Sequence, residues 1–415
     1  MSFVMSRTDV IDRRARRGSG DPAMETDASF RARYDAIVIG ARVAGAATAM
    51  LLARAGLRVL VVERGRLGGD TVSTHALMRG AVLQLHRWGL LGALEAARTP
   101  PIRSATFHYG EEDVPVAIKP RDGIDALYAP RRTVLDPLLV RAAAAAGAHV
   151  VHGVAALDLV RDARARVVGC VLVGADGIPT RVEASIVIGA DGLRSPTARW
   201  AGAPVERAGR SATAVVYGHF AGLALDGYHW YYRPGVSAGA IPTNDGRACV
   251  FVALPPPRFH HDRSGGLEAL YRRVLSEAAP DLAPAVAAAR LDAKLWSFPG
   301  TPGFLRRAWG PGWALVGDAG YFKDPLTAHG ITDALRDAEL LARAVVAGTD
   351  GALAAYQATR DELSLGLFEV TDRVASFAWD LEQAKRDHQL LARHMAGEAE
   401  ALLALDGDRD GAEAA

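Results

Sequence analysis

The residues that could do chemistry fall in a few loops at the ends of apolar runs. Asp318 closes the run before Val316-Gly317-Asp318, and Asp191 closes another at Gly189-Ala190-Asp191-Gly192. A carboxylate at a strand end accepts hydrogen bonds from a hydroxyl-rich ligand. His75 lies in Ser73-Thr74-His75 and His329 in Pro325-Leu326-Thr327-Ala328-His329-Gly330. Either imidazole is a candidate for proton transfer or for orienting a substrate. For His329, a loop histidine bonded to backbone is the plainer alternative. Lys323, one of only four lysines, shares that loop. The adjacent His260-His261 beside Asp262 has no spacing of the H-x-x-x-H kind, so no metal site is expected.

Residues 34–64 must position these groups. A short β-branched run at 36–39 reads as a buried parallel strand and ends at Gly40. The turn Gly40-Ala41-Arg42-Val43-Ala44-Gly45 leads into a small-residue helix over 44–55, stopped by Gly56. A second strand over 59–62 ends in Glu63. This is a βαβ unit with a dinucleotide signature. Gly40 permits the tight turn and Gly45 lets helix and strand approach. The N–H groups at the helix start, near Ala44, face a pyrophosphate. Glu63, about twenty residues on, is placed for a ribose hydroxyl, with Arg64 beside it. Arg42 stands where the fingerprint has its second glycine. The motif by itself does not separate NAD from FAD.

Composition narrows the class. The chain has 415 residues, a net charge of +1 and 50% hydrophobic residues, enough for a large core. Balanced charge speaks against nucleic acid as a partner. Two cysteines, Cys170 and Cys249, suggest a reducing compartment, so a cytoplasmic location is expected. No apolar run spans a bilayer. Nothing in the sequence speaks to oligomeric state.

The expected architecture is α/β: a Rossmann-like nucleotide-binding domain, an inserted antiparallel β-sheet substrate domain and a C-terminal helical segment. Residues 1–33 read as a disordered extension, with Met24 a candidate natural start. Segments 34–76, 131–208 and 296–355 read as the nucleotide domain, and 77–130 with 209–295 as the substrate domain. Helices are expected over 356–405, and a disordered tail over 406–415. In the inserted sheet, Tyr217 and His219 share one strand face, as do Trp230 and Tyr232. Such faces can roof an aromatic substrate; a packed sheet surface is the alternative.

Three stretches now combine: the βαβ unit, residues 189–195 and residues 316–342. Together they resemble the FAD-dependent monooxygenases of the aromatic-hydroxylase type, with the glutathione-reductase-like FAD fold. The resemblance implies bound FAD, with NADPH or NADH as a transient reductant. It implies hydroxylation of an aromatic or phenol-like natural product by O2 through a C4a-hydroperoxyflavin, as in secondary metabolism. It places Asp318 on a ribityl hydroxyl and Asp191 near the pyrophosphates. Arg132, at an R-x-x-L helix start, would reach the FAD, and the Val154 backbone would meet adenine. The loop before Gly330 departs from P-x-x-G-x-G at Ala328 and His329. The N–H groups of Gly330 and Ile331 would still face the flavin N1 and O2 edge. Geranylgeranyl-reductase-like flavoproteins share all three motifs, so reduction of C=C bonds is the alternative. A halogenase is disfavoured, because there is no W-x-W-x-I-P and no lysine near Arg79. A non-catalytic binding protein on the same fold is disfavoured by the near-complete FAD motifs.

Overall fold

The structure, a computed structural model, describes residues 30–413, with side chains described through residue 405. Most of the expected extension, including Met24, lies outside the described residues. The expected motif folds as a parallel sheet. Strand Arg33–Ile39 lies between Val59–Glu63 and Pro179–Gly189, parallel to both. His149–His152 extends the sheet past Val59–Glu63, and Trp313–Leu315 extends it past Pro179–Gly189. An antiparallel meander, Ala155–Arg161 and Val167–Val173, joins the same sheet through Pro179–Gly189. Strands 36–39 and 59–62 are buried on both faces, which is why they read as unbroken apolar runs.

Helix Val43–Arg54 follows the first strand and packs against Arg132–Ala145 and Gly330–Ala347. Its many alanines, Ala44, Ala46, Ala47 and Ala49 among them, are buried and keep the helices close. Two glycines are required. Gly40 has φ +107°, and a Cβ there would lie 2.4 Å from the Ala190 carbonyl oxygen. A Cβ on Gly45 would lie 1.8 Å from the Gly40 carbonyl oxygen.

The second sheet has seven strands in the order Arg290–Phe298, Ala214–Ala221, Arg247–Leu254, Val236–Thr243, Tyr228–Arg233, Ser104–Tyr109, Glu112–Ala117. Tyr228–Arg233 and Ser104–Tyr109 run parallel, and the other neighbours are antiparallel. The expected turn at Asn244-Asp245-Gly246 is present, with Asp245 at φ 62° and Gly246 at φ 64°. One face of this sheet, including Val216, Phe220, Val250 and Val252, packs under helix Leu267–Ala278. The other, with Tyr217, Trp230, Tyr232 and Phe251, joins the large core shared with the nucleotide domain. Alternation along the strands sorts these two sets.

The chain closes with helices Asp350–Ala375 and Leu381–Glu413, packed on each other. Thr349 caps the first: its Oγ1 accepts from the Ala352 N–H at 3.1 Å. Helical backbone continues to Glu413, into the stretch expected to be a disordered tail. Among the described residues, no helix is long and apolar enough to cross a membrane.

Candidate active site

The C-terminal ends of the parallel strands open on one cavity of about 650 Å3. All the cofactor candidates line it: Gly40, Arg42, Ala44, Glu63, Arg64, Arg132, Val154, Asp191, Asp318, Gly330 and Ile331, with Gly45 packed directly behind the turn. A cleft at the carboxyl ends of parallel strands is the expected ligand position in this architecture.

At the nucleotide end, Glu63 organises its surroundings. Its Oε2 accepts from the Ala41 N–H at 3.0 Å and its Oε1 from the Gly65 N–H at 2.8 Å. The Val154 N–H donates to the Glu63 carbonyl at 3.1 Å. Arg42 sits at the N-cap of helix Val43–Arg54 with an ordinary φ of −84°, so an arginine backbone fits where a glycine was expected. Its Nη1 is buried without a hydrogen-bond partner and lies 3.8 Å from Asp136. Asp136 is already engaged by Arg132, through Nε at 2.8 Å and Nη2 at 3.0 Å. Asp191 accepts three hydrogen bonds within the protein. Its Oδ1 accepts from Ser195 Oγ, and its Oδ2 from the Thr197 N–H at 2.9 Å and Oγ1 at 2.8 Å. Asp191 therefore braces the start of helix Pro196–Ala201, whose N-cap is Ser195, and lines the cavity wall.

Asp318 has no such partners. Burial pushes its carboxyl up to about 6, and the nearby Arg132 guanidinium only partly pulls it back. An acceptor left without donors at a cavity wall is suited to a ligand hydroxyl. The start of helix Gly330–Ala347 reaches the cavity through Gly330 and Ile331, so its positive dipole end points there.

The far end is lined by Val215, Tyr217, Phe298, Phe322, Pro325, His75 and Lys323. Tyr217 Oη accepts from the Ser73 N–H at 3.0 Å and donates to the Thr71 carbonyl at 3.3 Å. The sheet thus pins the loop over residues 71–73 in place. Lys323 is buried and paired with Asp333; burial lowers its pKa and the Asp333 carboxylate opposes that.

The two histidines separate. His75 lines the cavity, but its Nε2 faces His219 Nε2 at 2.8 Å, with the rings stacked at 5.1 Å. Burial lowers both pKa values, His219 to about 4, so the pair is neutral at pH 7. His219 stands behind the wall rather than on it. His329 does not line the cavity. Its Nε2 bonds Glu398 at 2.6 Å, within a buried set of Asp333, Arg336, Asp337 and Glu398. It is withdrawn as a catalytic group because its side chain is buried against Glu398 of helix Leu381–Glu413 and does not reach the cavity wall. Trp230 and Tyr232 are withdrawn as substrate contacts for a similar reason. Trp230 packs on Tyr228 and Phe251, and Tyr232 on Trp379 and His388, both away from the cavity.

Sequence reasoning missed Phe298 and Phe322 as lining residues. Phe322 had a readable signal, being four residues past Asp318 on the same loop; Phe298 had none. It also missed Glu398, whose partner lies 69 positions away.

Residues 33–367 match the family described as FAD binding domain, so the chain belongs to that family. A digeranylgeranylglycerophospholipid reductase 2 of Methanopyrus kandleri is 30% identical over 327 residues, covering 73% of this chain and 74% of that protein. A probable electron transfer flavoprotein-quinone oxidoreductase of Escherichia coli is 36% identical over 183 residues, covering 40% of this chain. The match spans only 38% of that protein's length. Among solved structures, a flavin-dependent brominase, Bmp2, superposes with a TM-score of 0.75 at 19% identity over 91% of this chain and 99% of that one. A probable FAD-dependent monooxygenase from Pseudomonas aeruginosa, pqsL, superposes at 0.68 with 24% identity over 88% and 100%.

The protein is therefore an FAD-dependent oxidoreductase, and FAD is its cofactor. The residues fit that group. The glycine cradle at Gly40 and Gly45 leaves the backbone bare, Arg42 Nη1 is an orphaned donor at the wall, and Asp318 is an acceptor without donors.

Proposed function

We propose that this protein is an NAD(P)H-dependent FAD monooxygenase that uses O2 to hydroxylate a compact aromatic or phenol-like natural product. One observation carries the reading. The cavity beyond the nucleotide-binding wall ends against Val215, Tyr217, Phe298 and Phe322, a short aromatic enclosure suited to a flat ring. FAD, when bound, supplies the hydride-accepting and oxygen-activating chemistry.

The chain's own residues supply placement. Arg42, Arg132 and Asp318 would hold the pyrophosphate and ribityl portions, and the N–H groups at Gly330 and Ile331 would favour negative charge at the adjoining ring edge. Tyr217 fixes the loop over residues 71–73, so a substrate ring meets a rigid wall. Phe298 and Phe322 exclude water from the same end. His75 and Tyr217 present no charge there at neutral pH, because burial lowers the imidazole and raises the phenol.

A second reading, reduction of C=C bonds, is favoured by the Methanopyrus kandleri relative, which is named as a reductase of a geranylgeranyl lipid. Incubation with 18O2, NADH or NADPH and a panel of phenols separates the two. Substrate-stimulated oxidation of NADH or NADPH with label in the product supports monooxygenation. Reduced product formed without O2 supports the second reading, and overturns the first.

A further inference from the structure

At the cavity wall and just behind it, three side chains of metal-ligating chemistry converge between the cavity loop and the second sheet. They are His75, His219 and Cys249, and their ligand atoms all lie within 4.8 Å of one another. His219 and Cys249 are cross-strand partners on Ala214–Ala221 and Arg247–Leu254, and His75 comes from the cavity loop. We propose that these three residues form a binding site for a single thiophilic d10 cation, Zn2+ or Cu+, which fastens the cavity loop to the sheet.

Four observations support the assignment. The ligand types are the imidazoles and thiol that soft and borderline cations select. All three are buried: His75 and His219 are each 3% exposed and Cys249 is 0% exposed, so a bound ion would be shielded from water. The two imidazoles bring their Nε2 atoms to 2.8 Å of each other. Opening that gap by about half an ångström admits a cation at ordinary metal–nitrogen distances. Finally, His75 holds a left-handed φ of +48°, and in that conformation its ring stacks on His219 at 5.1 Å. The arginines nearby are each paired: Arg131 with Asp70 and Asp292, Arg247 with Asp292, and Arg132 with Asp136.

The other triad of ligating groups, His329, Asp333 and Glu398, makes the contrast. Lys323 and Arg336 already occupy its interior as the positive partners, so it has no room for an ion.

The step is simple coordination. The Cys249 thiol loses its proton to solvent as the cation binds, and no electron moves. The test uses the full-length flavoprotein, stripped with a chelator and exposed separately to Zn2+, Co2+ and, anaerobically, Cu+. Metal content after desalting is expected at about one equivalent per chain. The Co2+ form is expected to carry a thiolate charge-transfer band. Cys249→Ser is expected to lose that band and His219→Gln to lose stoichiometric binding, both with FAD retained. The Zn2+ and Cu+ arms show which cation is held more tightly. A wild-type protein that retains no metal and shows no charge-transfer band overturns the proposal. So does metal retention unchanged in both variants. In either case His75 and His219 are a hydrogen-bonded core pair only.

Discussion

Two loops flank the same cavity, residues 71–76 and residues 323–330, and each buries a histidine. The first keeps its histidine neutral: His75 meets the imidazole of His219 rather than a carboxylate, and burial lowers its pKa. The second keeps its histidine among charges. His329 meets Glu398, and Arg336 bridges Glu398 to Asp333 and Asp337. Burial alone would raise the Glu398 carboxyl, but His329 and Arg336 override it and hold the group down at about 2. Equal depth therefore does not give equal chemistry. The partner decides whether a buried histidine sits in a neutral pair or locks a helix, and here the locking partner comes from the last helix of the chain.

Breaking the charged loop is expected to have the largest effect. Glu398→Ala leaves buried positive groups without their anion and is expected to cost about 3–5 kcal/mol, read as a lower urea midpoint. Glu398→Gln, which keeps a hydrogen-bond acceptor, is expected to cost less. A loss under about 1 kcal/mol in the alanine variant would show that the network does not hold the helix.

The next effect is in pH. His219 has a depressed folded pKa, so between about 4 and 6.5 the unfolded chain binds a proton that the folded chain does not. Its stabilising contribution is thus present above pH 6.5 and is lost as pH falls toward 4. For Glu398 the corresponding loss lies between 4.5 and about 2. In the metal-free protein, His219→Leu is expected to flatten the slope of stability in the upper window and leave the lower one unchanged. An unaltered upper slope would mean that other groups produce it.

Tyr217→Phe removes the hydroxyl that pins the loop over residues 71–73 and is expected to cost about 1 kcal/mol. Under the proposed monooxygenase reaction, its sharper readout is more reduced cofactor consumed per substrate hydroxylated. Arg42→Gly is expected to have the smallest effect. The turn already has a permissive backbone there, and the half-exposed Arg42 side chain contributes about 1 kcal/mol or less, so FAD should stay bound within about tenfold of its original affinity. Loss of flavin absorbance on desalting that variant would make Arg42 a principal ligand.

The nucleotide end was legible because its requirements are local. A positive φ at Gly40, a close approach at Gly45 and a carboxylate at the end of the next strand are all met within residues 40–63. The Asp318 loop was legible for the same reason. The substrate end was not. Tyr217 and Trp230 carry the same alternation signal, yet Tyr217 reaches the cavity and Trp230 packs against Phe251. Strand periodicity assigns a face; it does not say what covers each part of that face.

The sequence by itself determined the βαβ unit, the FAD-binding class and the existence of a second sheet, because turn chemistry and strand or helix period act over a few residues. Only the tertiary structure decided what the histidines do. The partners of His75 and His329 lie 144 and 69 positions away, and a buried imidazole takes its charge from the groups that packing brings against it.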